Sequence, residues 1–526
     1  MTRDVDIAIV GSGFSGALLA MIARRLGRSV VLLERGRHPR FAIGESSTPL
    51  ASLLLEDLAR RYDLPRLIPF AKYGTWKREY PDVACGLKRG FSFFRHDAGA
   101  RFATDESHGN QLLVAASPND DIGDVHWYRP DLDHFLVREA VSLGVEYFDE
   151  TDITEFTPHS AGVARLTGER RRAVGGTEQI EITARLVVDA TGPRGFLHRQ
   201  LSLAERPLPG MPATQALYTH FTGVRVFGEV TPMLNGVPPY PVDVAAVHHL
   251  FDGGWIWVLR FDNGITSAGV AATETLAREL QLSDGAPAWS RLLNRFPSID
   301  EQFSVSTATR DFTWLPKLSF ASSALAGDGW VMLPSAAGVV DPLLSTGFPL
   351  TLLGVERIAA AIAADWGTPR LPAALDRYAT QTQSELDVTS RLVGALYASF
   401  DDFERFTALS FLYFAAASFA ESARRLGKAD VAGDAFMLAG HPSFGPALAQ
   451  CLDLTEVPTG RAKLLSAIAA AIEPVNVAGL ADPARRNWYP CLAADLLASA
   501  KKLGATEREV LAMLERCGFT PRAVAG

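Results

Sequence analysis

Asp4-Val5-Asp6-Ile7-Ala8-Ile9-Val10-Gly11-Ser12-Gly13-Phe14-Ser15-Gly16-Ala17-Leu18-Leu19-Ala20 is the stretch whose reading decides the fold. An apolar β-type run enters a glycine-rich turn, and the turn opens a helix predicted to reach about Leu26. This is the strand–GxGxxG–helix start of a Rossmann unit. Gly11 makes the tight turn, Gly13 lets the backbone approach a pyrophosphate, and Gly16 lets helix and strand pack closely. The helix N-terminus offers free N–H groups and partial positive charge to the phosphates. A second strand, Ser29 to Leu33, ends at Glu34. That acid stands where a carboxylate accepts hydrogen bonds from an adenosine ribose. GxGxxG alone is weak, but strand, helix, second strand and acid together define a dinucleotide site.

The bulk numbers bound what else the chain can do. At 526 residues it holds two or three domains, or one large core with an appended part. A net charge of −8 argues against binding nucleic acid by bulk electrostatics. The most apolar run, Leu409 to Ala420, is too short for a membrane span. The chain enters its first strand at once, which leaves no room for a signal peptide, and a cytoplasmic location is expected. Cys85, Cys451, Cys491 and Cys517 form no CxxC pair and read as reduced thiols. His248 and His249, adjacent on a strand, face opposite sides and cannot share a metal; no metal site is expected.

Further along, Gly44-Glu45-Ser46-Ser47-Thr48-Pro49 precedes an apolar run to Arg61. By itself it reads as a capped helix, with Ser47 or Thr48 as cap and Pro49 in the first turn. It also resembles the flavin-contacting loop of the FAD-dependent halogenases, the tryptophan-halogenase-like superfamily. Phe70-Ala71-Lys72-Tyr73-Gly74-Thr75-Trp76 reads blandly as an edge strand with a solvated lysine. It is similar to the Lys-x-Gly-x-x-aromatic pattern of phenol- and pyrrole-type halogenases, with the aromatic off by one. The resemblance implies that Lys72 handles hypohalous acid, with Lys77 as the competing choice. A partly desolvated amine suits that role, because burial favours its neutral form.

Arg129, just before a predicted helix, resembles an FAD-contacting arginine of flavin monooxygenase-type folds. Asp189-Ala190-Thr191-Gly192 resembles the second FAD fingerprint, so FAD is expected rather than NAD. Residues from about 200 to 320 are strand-rich and broken by Pro and Gly, as a substrate-covering sheet would be. Within them Gly254-Trp255-Ile256-Trp257-Val258-Leu259-Arg260 puts both tryptophans on one strand face. The pair reads as core, and it also resembles the halogenase Trp-x-Trp-x-Ile-Pro signature, here ending in Leu259-Arg260. The resemblance extends to Ser335-Ala336-Ala337-Gly338, Asp341-Pro342 and Ser345-Thr346-Gly347-Phe348-Pro349, which opens a helix to about Trp366. There the helix N-terminus, the N–H groups and the Thr346 hydroxyl can hold a halide. The turn can equally be one that only starts a packed helix. Pro334-Ser335 replaces the usual Gly-Asp, leaving a hydroxyl or backbone group for the ribityl chain. Leu344 stands where tryptophan halogenases carry a catalytic Glu, which points to phenols or pyrroles.

The chain is thus expected to be an α/β protein: a Rossmann-type, flavin monooxygenase-like FAD-binding domain over residues 1–370, an inserted β-rich substrate region at about 200–320, and a helical region over 371–526 covering the site. The resemblance implies FAD contacts from Gly11, Gly13, Phe14, Ser15, Gly16, Glu34, Arg35, Ser46, Ser47, Thr48, Arg129, Asp189, Gly192, Ser335, Pro342, Gly347 and Phe348. It implies halide at Thr346 and Gly347, and substrate near Trp255, Trp257 and Phe93. Reduced FAD from a separate flavin reductase, O2 and chloride or bromide would form hypohalous acid and halogenate an electron-rich phenol, pyrrole or indole, free or carrier-tethered. A homodimer is left open. The alternatives are an FAD-dependent aromatic monooxygenase and an FAD-dependent prenyl reductase.

Overall fold

Ile7 and Ile9 face one side of the first strand while Ala8 and Val10 face the other, and all four are buried. A strand buried on both faces sits in the middle of a parallel sheet covered by other layers. The computed structural model, which describes residues 1–160, 162–171, 175–231 and 236–519, shows this arrangement. Strand β1 (Thr2–Val10) leads to α1 (Phe14–Arg25), β2 (Val30–Leu33) and α2 (Pro49–Arg61). Next come α3 (Tyr73–Glu79), β3 (Cys85–Lys88), β4 (Gly90–Arg95), β5 (Gln111–Ala115), β6 (Asp124–Trp127) and α4 (Arg129–Ser142). Then follow β7 (Glu146–Phe148), β8 (Thr151–Ser160), β9 (Val163–Arg171) and β10 (Thr177–Asp189).

Strands β11 (Thr214–Thr222), β12 (Ala246–Phe251), β13 (Gly254–Arg260) and β14 (Thr266–Thr273) form the inserted meander, and β15 (Trp330–Met332) returns to the first sheet. Long helices α5 (Gly347–Asp365), α6 (Arg370–Tyr397) and α7 (Phe403–Arg425) follow, then β16 (Trp488–Tyr489) and α8 (Glu507–Cys517).

The first sheet runs β15-β10-β1-β2-β7, all parallel, with the β8–β9 hairpin continuing from β10. The second runs β11-β14-β13-β12-β4-β5-β16. It therefore draws strands from outside 200–320: β4 pairs in parallel with β12, and β16 comes from the region expected to be almost wholly helical. Trp255 and Trp257 face the shared core with Phe91 and Phe93, while Ile256 and Val258 face away. Helix α1 packs on β1 and β2 and against α5, and α7 packs on β4 through Tyr413 and Phe414 against Phe91.

Helices α5 and α7 are long and apolar enough to cross a membrane, contrary to the count of apolar residues alone, but 67% and 78% of their apolar windows are buried inside the protein. That is the pattern of core helices.

Candidate active site

The turn after β1 shows three glycines with three different physical reasons. Gly11 has φ +102°, and a Cβ there would lie 2.5 Å from the Ala190 carbonyl oxygen. At Gly16 it would lie 2.0 Å from the Gly11 oxygen, so α1 could not dock on β1. At Gly13 the nearest atom is a side-chain one, Arg129 Nη2 at 3.3 Å, rather than backbone. The fold itself tolerates a side chain at Gly13; its absence serves whatever approaches α1 from outside.

Arg129 stands over that approach. Its guanidinium pairs with Asp133 through two bonds of 2.8 Å, donates to the Gly44 carbonyl at 3.0 Å and lies 4.9 Å from the Phe14 ring. Glu34 closes the end of β2, accepting from Ser12 Oγ (2.8 Å), Gly36 N–H (2.9 Å) and Arg40 Nη2 (2.8 Å). Burial alone would raise its pKa, but the Arg40 charge and these hydrogen bonds outweigh burial and lower it. Phe14, Trp127 and Phe348 cluster with centroids 4.4 to 5.4 Å apart, joining α1, β6 and α5. Ser15 is buried in the first turn of α1, and Arg35 is exposed after β2.

Asp189 does not turn toward this groove. It is 0% exposed, and its oxygens accept from Thr191 N–H, Thr191 Oγ and Leu197 N–H. It shapes the turn, a correction to the expectation that it touches FAD. Gly192 takes φ +87° with open space beside it. Ser335 is half-buried in a one-turn helix, and Pro342 is exposed.

The loop before α5 meets the loop before α2. Ser345 adopts φ +53° and its Oγ donates to Ser46 Oγ at 3.1 Å. Thr346 is the buried N-cap residue of α5, yet its side chain makes no capping bond. Gly347 is exposed, with nothing within 4 Å of where a Cβ would stand. The first N–H groups of α5 thus open onto free space. Thr48 caps α2, accepting from Ala51 N–H at 3.3 Å, and Ser47 is buried beside it.

The lysine at this junction is neither Lys72 nor Lys77. Lys72 precedes α3 rather than sitting on a strand, and its Nζ is 3.4 Å from the Cys517 carbonyl; Lys77 is paired with Asp262 at 2.6 Å. The residue there is Lys88, which is 0% exposed. Its Nζ donates to Ser46 Oγ at 2.9 Å and to the Ser47 carbonyl, and it sits 4.0 Å above the Phe91 ring. Burial pulls its pKa far below the usual lysine range, and the nearby Asp124 charge opposes that pull. A sequence signal was present: Lys88-Arg89-Gly90-Phe91-Ser92-Phe93 meets the Lys-x-Gly-x-x-aromatic spacing without any offset.

A cavity of about 120 Å³ lies beside this junction, bounded by the start of α2, by β4–β5, by α7 and by the segment around β16. Phe91 and Phe414 line it. Phe93, Trp255 and Trp257 do not; all three are buried in the core. Trp255 donates to Tyr397 Oη at 3.0 Å, and Tyr397 donates to Asp341 Oδ2 at 2.9 Å, directly beneath the α5 loop. Burial raises the Asp341 pKa to about 7.

Fold and site together define a Rossmann-type flavoprotein oxidoreductase. A cradle open at Gly13, guarded by Arg129 and ending at Glu34, fits the pyrophosphate and ribose of FAD, and the open α5 N-terminus at Gly347 fits the anionic edge of its ring system. Residues 6–324 match the model of the FAD dependent oxidoreductase family. Monodechloroaminopyrrolnitrin halogenase PrnC of Pseudomonas fluorescens is 30% identical over 422 residues, covering 78% of this chain and 71% of the relative. Tetracycline 7-halogenase of Kitasatospora aureofaciens is 28% identical, covering 76% and 71%. Halogenase PltM, solved with phloroglucinol and FAD, superposes with a TM-score of 0.79 at 22% identity over 92% of this chain and 99% of that one, a likeness of fold. The chain belongs to the FAD dependent oxidoreductases and, within them, to the flavin-dependent halogenases.

Proposed function

We propose that this chain halogenates an electron-rich aromatic ring, using reduced FAD, O2 and chloride or bromide, and that Lys88 delivers the halogen. One observation carries the assignment. The open N-terminus of α5 and the buried amine of Lys88 are joined through Ser345 and Ser46 by bonds of 3.1 and 2.9 Å.

When bound, reduced FAD supplies with O2 the oxidising power that turns halide into hypohalous acid. Gly11, Gly13 and the start of α1 would hold its pyrophosphate with Arg129, and Glu34 its ribose. Thr346 and the Gly347 N–H would hold the halide, the Thr346 hydroxyl being free of any capping bond. Lys88 does the transfer. Burial keeps its amine able to lose a proton near neutrality. The neutral Nζ takes halogen from hypohalous acid and water leaves; the ring then takes the halogen and returns its proton to Nζ. The Ser46 hydroxyl and Ser47 carbonyl orient Nζ throughout.

Only one dinucleotide fingerprint is present in the sequence, so a separate flavin reductase would deliver the reduced cofactor. The relatives' names include pyrrole carrier-protein halogenases as well as a monodechloroaminopyrrolnitrin and a tetracycline halogenase, and the substrate of this chain is read as a free small aromatic. The deciding experiment is aerobic turnover with a flavin reductase, bromide and a panel of phenols, anilines and pyrroles, read by mass spectrometry. Brominated product supports the reading. Hydroxylated product alone, in excess bromide, would replace it with a monooxygenase.

A further inference from the structure

The cavity of about 120 Å³ holds one aromatic ring and little more. Among the described residues lining it there is no Lys, Arg or His; Lys88 stands behind the lining Phe91 ring, its Nζ 4.0 Å from the ring centroid. Its polar character comes largely from α7, where Tyr413, Ala417 and Glu421 follow one another at four-residue spacing along one helix face. The small Ala417 leaves the space between the other two.

Both flanking groups have unused hydrogen-bonding capacity. Tyr413 is 2% exposed, and its hydroxyl has no hydrogen-bond partner among the described residues. Glu421 accepts from Arg425 Nε at Oε1 (2.7 Å), while its Oε2 accepts from none of them. Tyr413 packs edge-on to Phe91, the ring that carries Lys88 Nζ. Glu421 in turn raises the proton affinity of Asp124, so its carboxylate lies within electrostatic reach of the Lys88 neighbourhood.

We propose that Glu421 selects the substrate, holding a single aromatic ring by an amino or hydroxyl hydrogen and disfavouring a ring with a carboxylate at that position. The inference rests on the halogenase reading and names its substrate class. An ionised carboxylate is acceptor-only, so it pairs with N–H or O–H and repels a second carboxylate. No cation on the cavity wall offers such a substrate compensation. Donating a hydrogen bond to an anion also increases electron release from the amino or hydroxyl group into the ring, which favours attack on electrophilic halogen.

The test compares 3-methoxyaniline with 3-methoxybenzoate, rings that differ in one substituent and share no other hydrogen-bond donor, on FAD-loaded wild type, Glu421→Gln and Glu421→Asp. Binding is read by calorimetry, and bromination as KM and kcat with a flavin reductase present. Wild type should favour 3-methoxyaniline by on the order of tenfold, the scale of one hydrogen bond to a charged group. Glu421→Gln should raise its KM about as much, with kcat changed less, and should erase most of the preference, while Glu421→Asp retains it. Equal binding of both rings by wild type overturns the proposal, as does a folded, FAD-binding Glu421→Gln that keeps the preference. Should Glu421→Gln fail to fold without its Arg425 pair, the wild-type comparison and Glu421→Asp decide. Selective binding without bromination would count against the halogenase reading and leave the selectivity standing.

Discussion

Lys88 and Asp124 stand directly opposite one another across the antiparallel β3–β6 ladder, at 0% and 4% exposure. Cross-strand partners have Cβ atoms about 5 Å apart on one face. Yet the two make no direct ion pair within 4 Å. Lys88 is held by Ser46 and Ser47, and Asp124 Oδ1 by Ser52 Oγ at 2.5 Å, while Asp124 Oδ2 has no partner among the described residues. A buried amine is thus biased by a nearby carboxylate without being neutralised by it, and it stays available for chemistry.

Lys88→Ala should abolish halogenated product while flavin oxidation and peroxide release continue. Lys88→Arg should fail as well, since a guanidinium keeps its proton. Lys72→Ala should retain wild-type product, because the Lys72 Nζ donates to the Cys517 carbonyl at the end of α8. Mass spectrometry of the product alongside a peroxide assay separates the cases, and loss of product in Lys72→Ala would reverse the assignment.

Turnover should rise with pH through the Lys88 ionisation, at about 7. His126 and His248 flank the same amine, but burial drops both to about 3, so they stay neutral. Glu421 and Tyr413 face Asp124 from α7. In Asp124→Asn the opposing anion is gone and desolvation acts alone, so the limb should move to lower pH. The Lys88 pKa is lowered on folding, so the unfolded chain binds more protons between about 7 and the ordinary lysine value, and this group's contribution to stability rises with pH across that window. A pH–rate profile of Asp124→Asn superimposing on wild type would remove Asp124 from this role.

Asp341 moves stability the other way. Its folded pKa is raised to about 7 from 3.8, so the native state holds a proton that the unfolded chain has lost. Its contribution is complete below 3.8 and is lost as pH rises to about 7. Thermal melts of Asp341→Asn, a neutral analogue throughout, should gain on wild type by a few degrees across that window. Parallel melting curves at every pH would show that Asp341 does not titrate there.

The glycines separate fold from ligand. Gly16→Ala should cost on the order of 3 kcal/mol, because its Cβ meets the Gly11 carbonyl. Gly13→Val should fold and melt near wild type yet lose FAD, read by flavin absorbance after gel filtration. Gly347→Val should fold and raise the bromide needed for half-maximal rate, since its side chain enters the space before α5. An unchanged bromide response would move the halide elsewhere.

The sequence by itself determined what short-range rules govern. The apolar run of β1, the glycines of the first turn, the Ser47 or Thr48 cap of α2 and the helix after Ser345-Thr346-Gly347 all depend on neighbours within a few residues. Those features were enough to predict the FAD-binding architecture, and the α5 helix was expected within a residue of where it lies. The tertiary structure decided which lysine is buried at the junction of the α2 and α5 loops. Lys72, Lys77 and Lys88 all lie near glycines and aromatics in the chain. Only the last is placed, by the register of β3 on β6 and by contact with residues 42 and 41 positions earlier, where water is excluded. A lysine's proton affinity depends on that exclusion and on charges brought close by long-range pairing, neither of which is encoded in local spacing. For the same reason the bonds that hold the Asp189 side chain in its turn, and the core packing of the two tryptophans, became visible only in the fold.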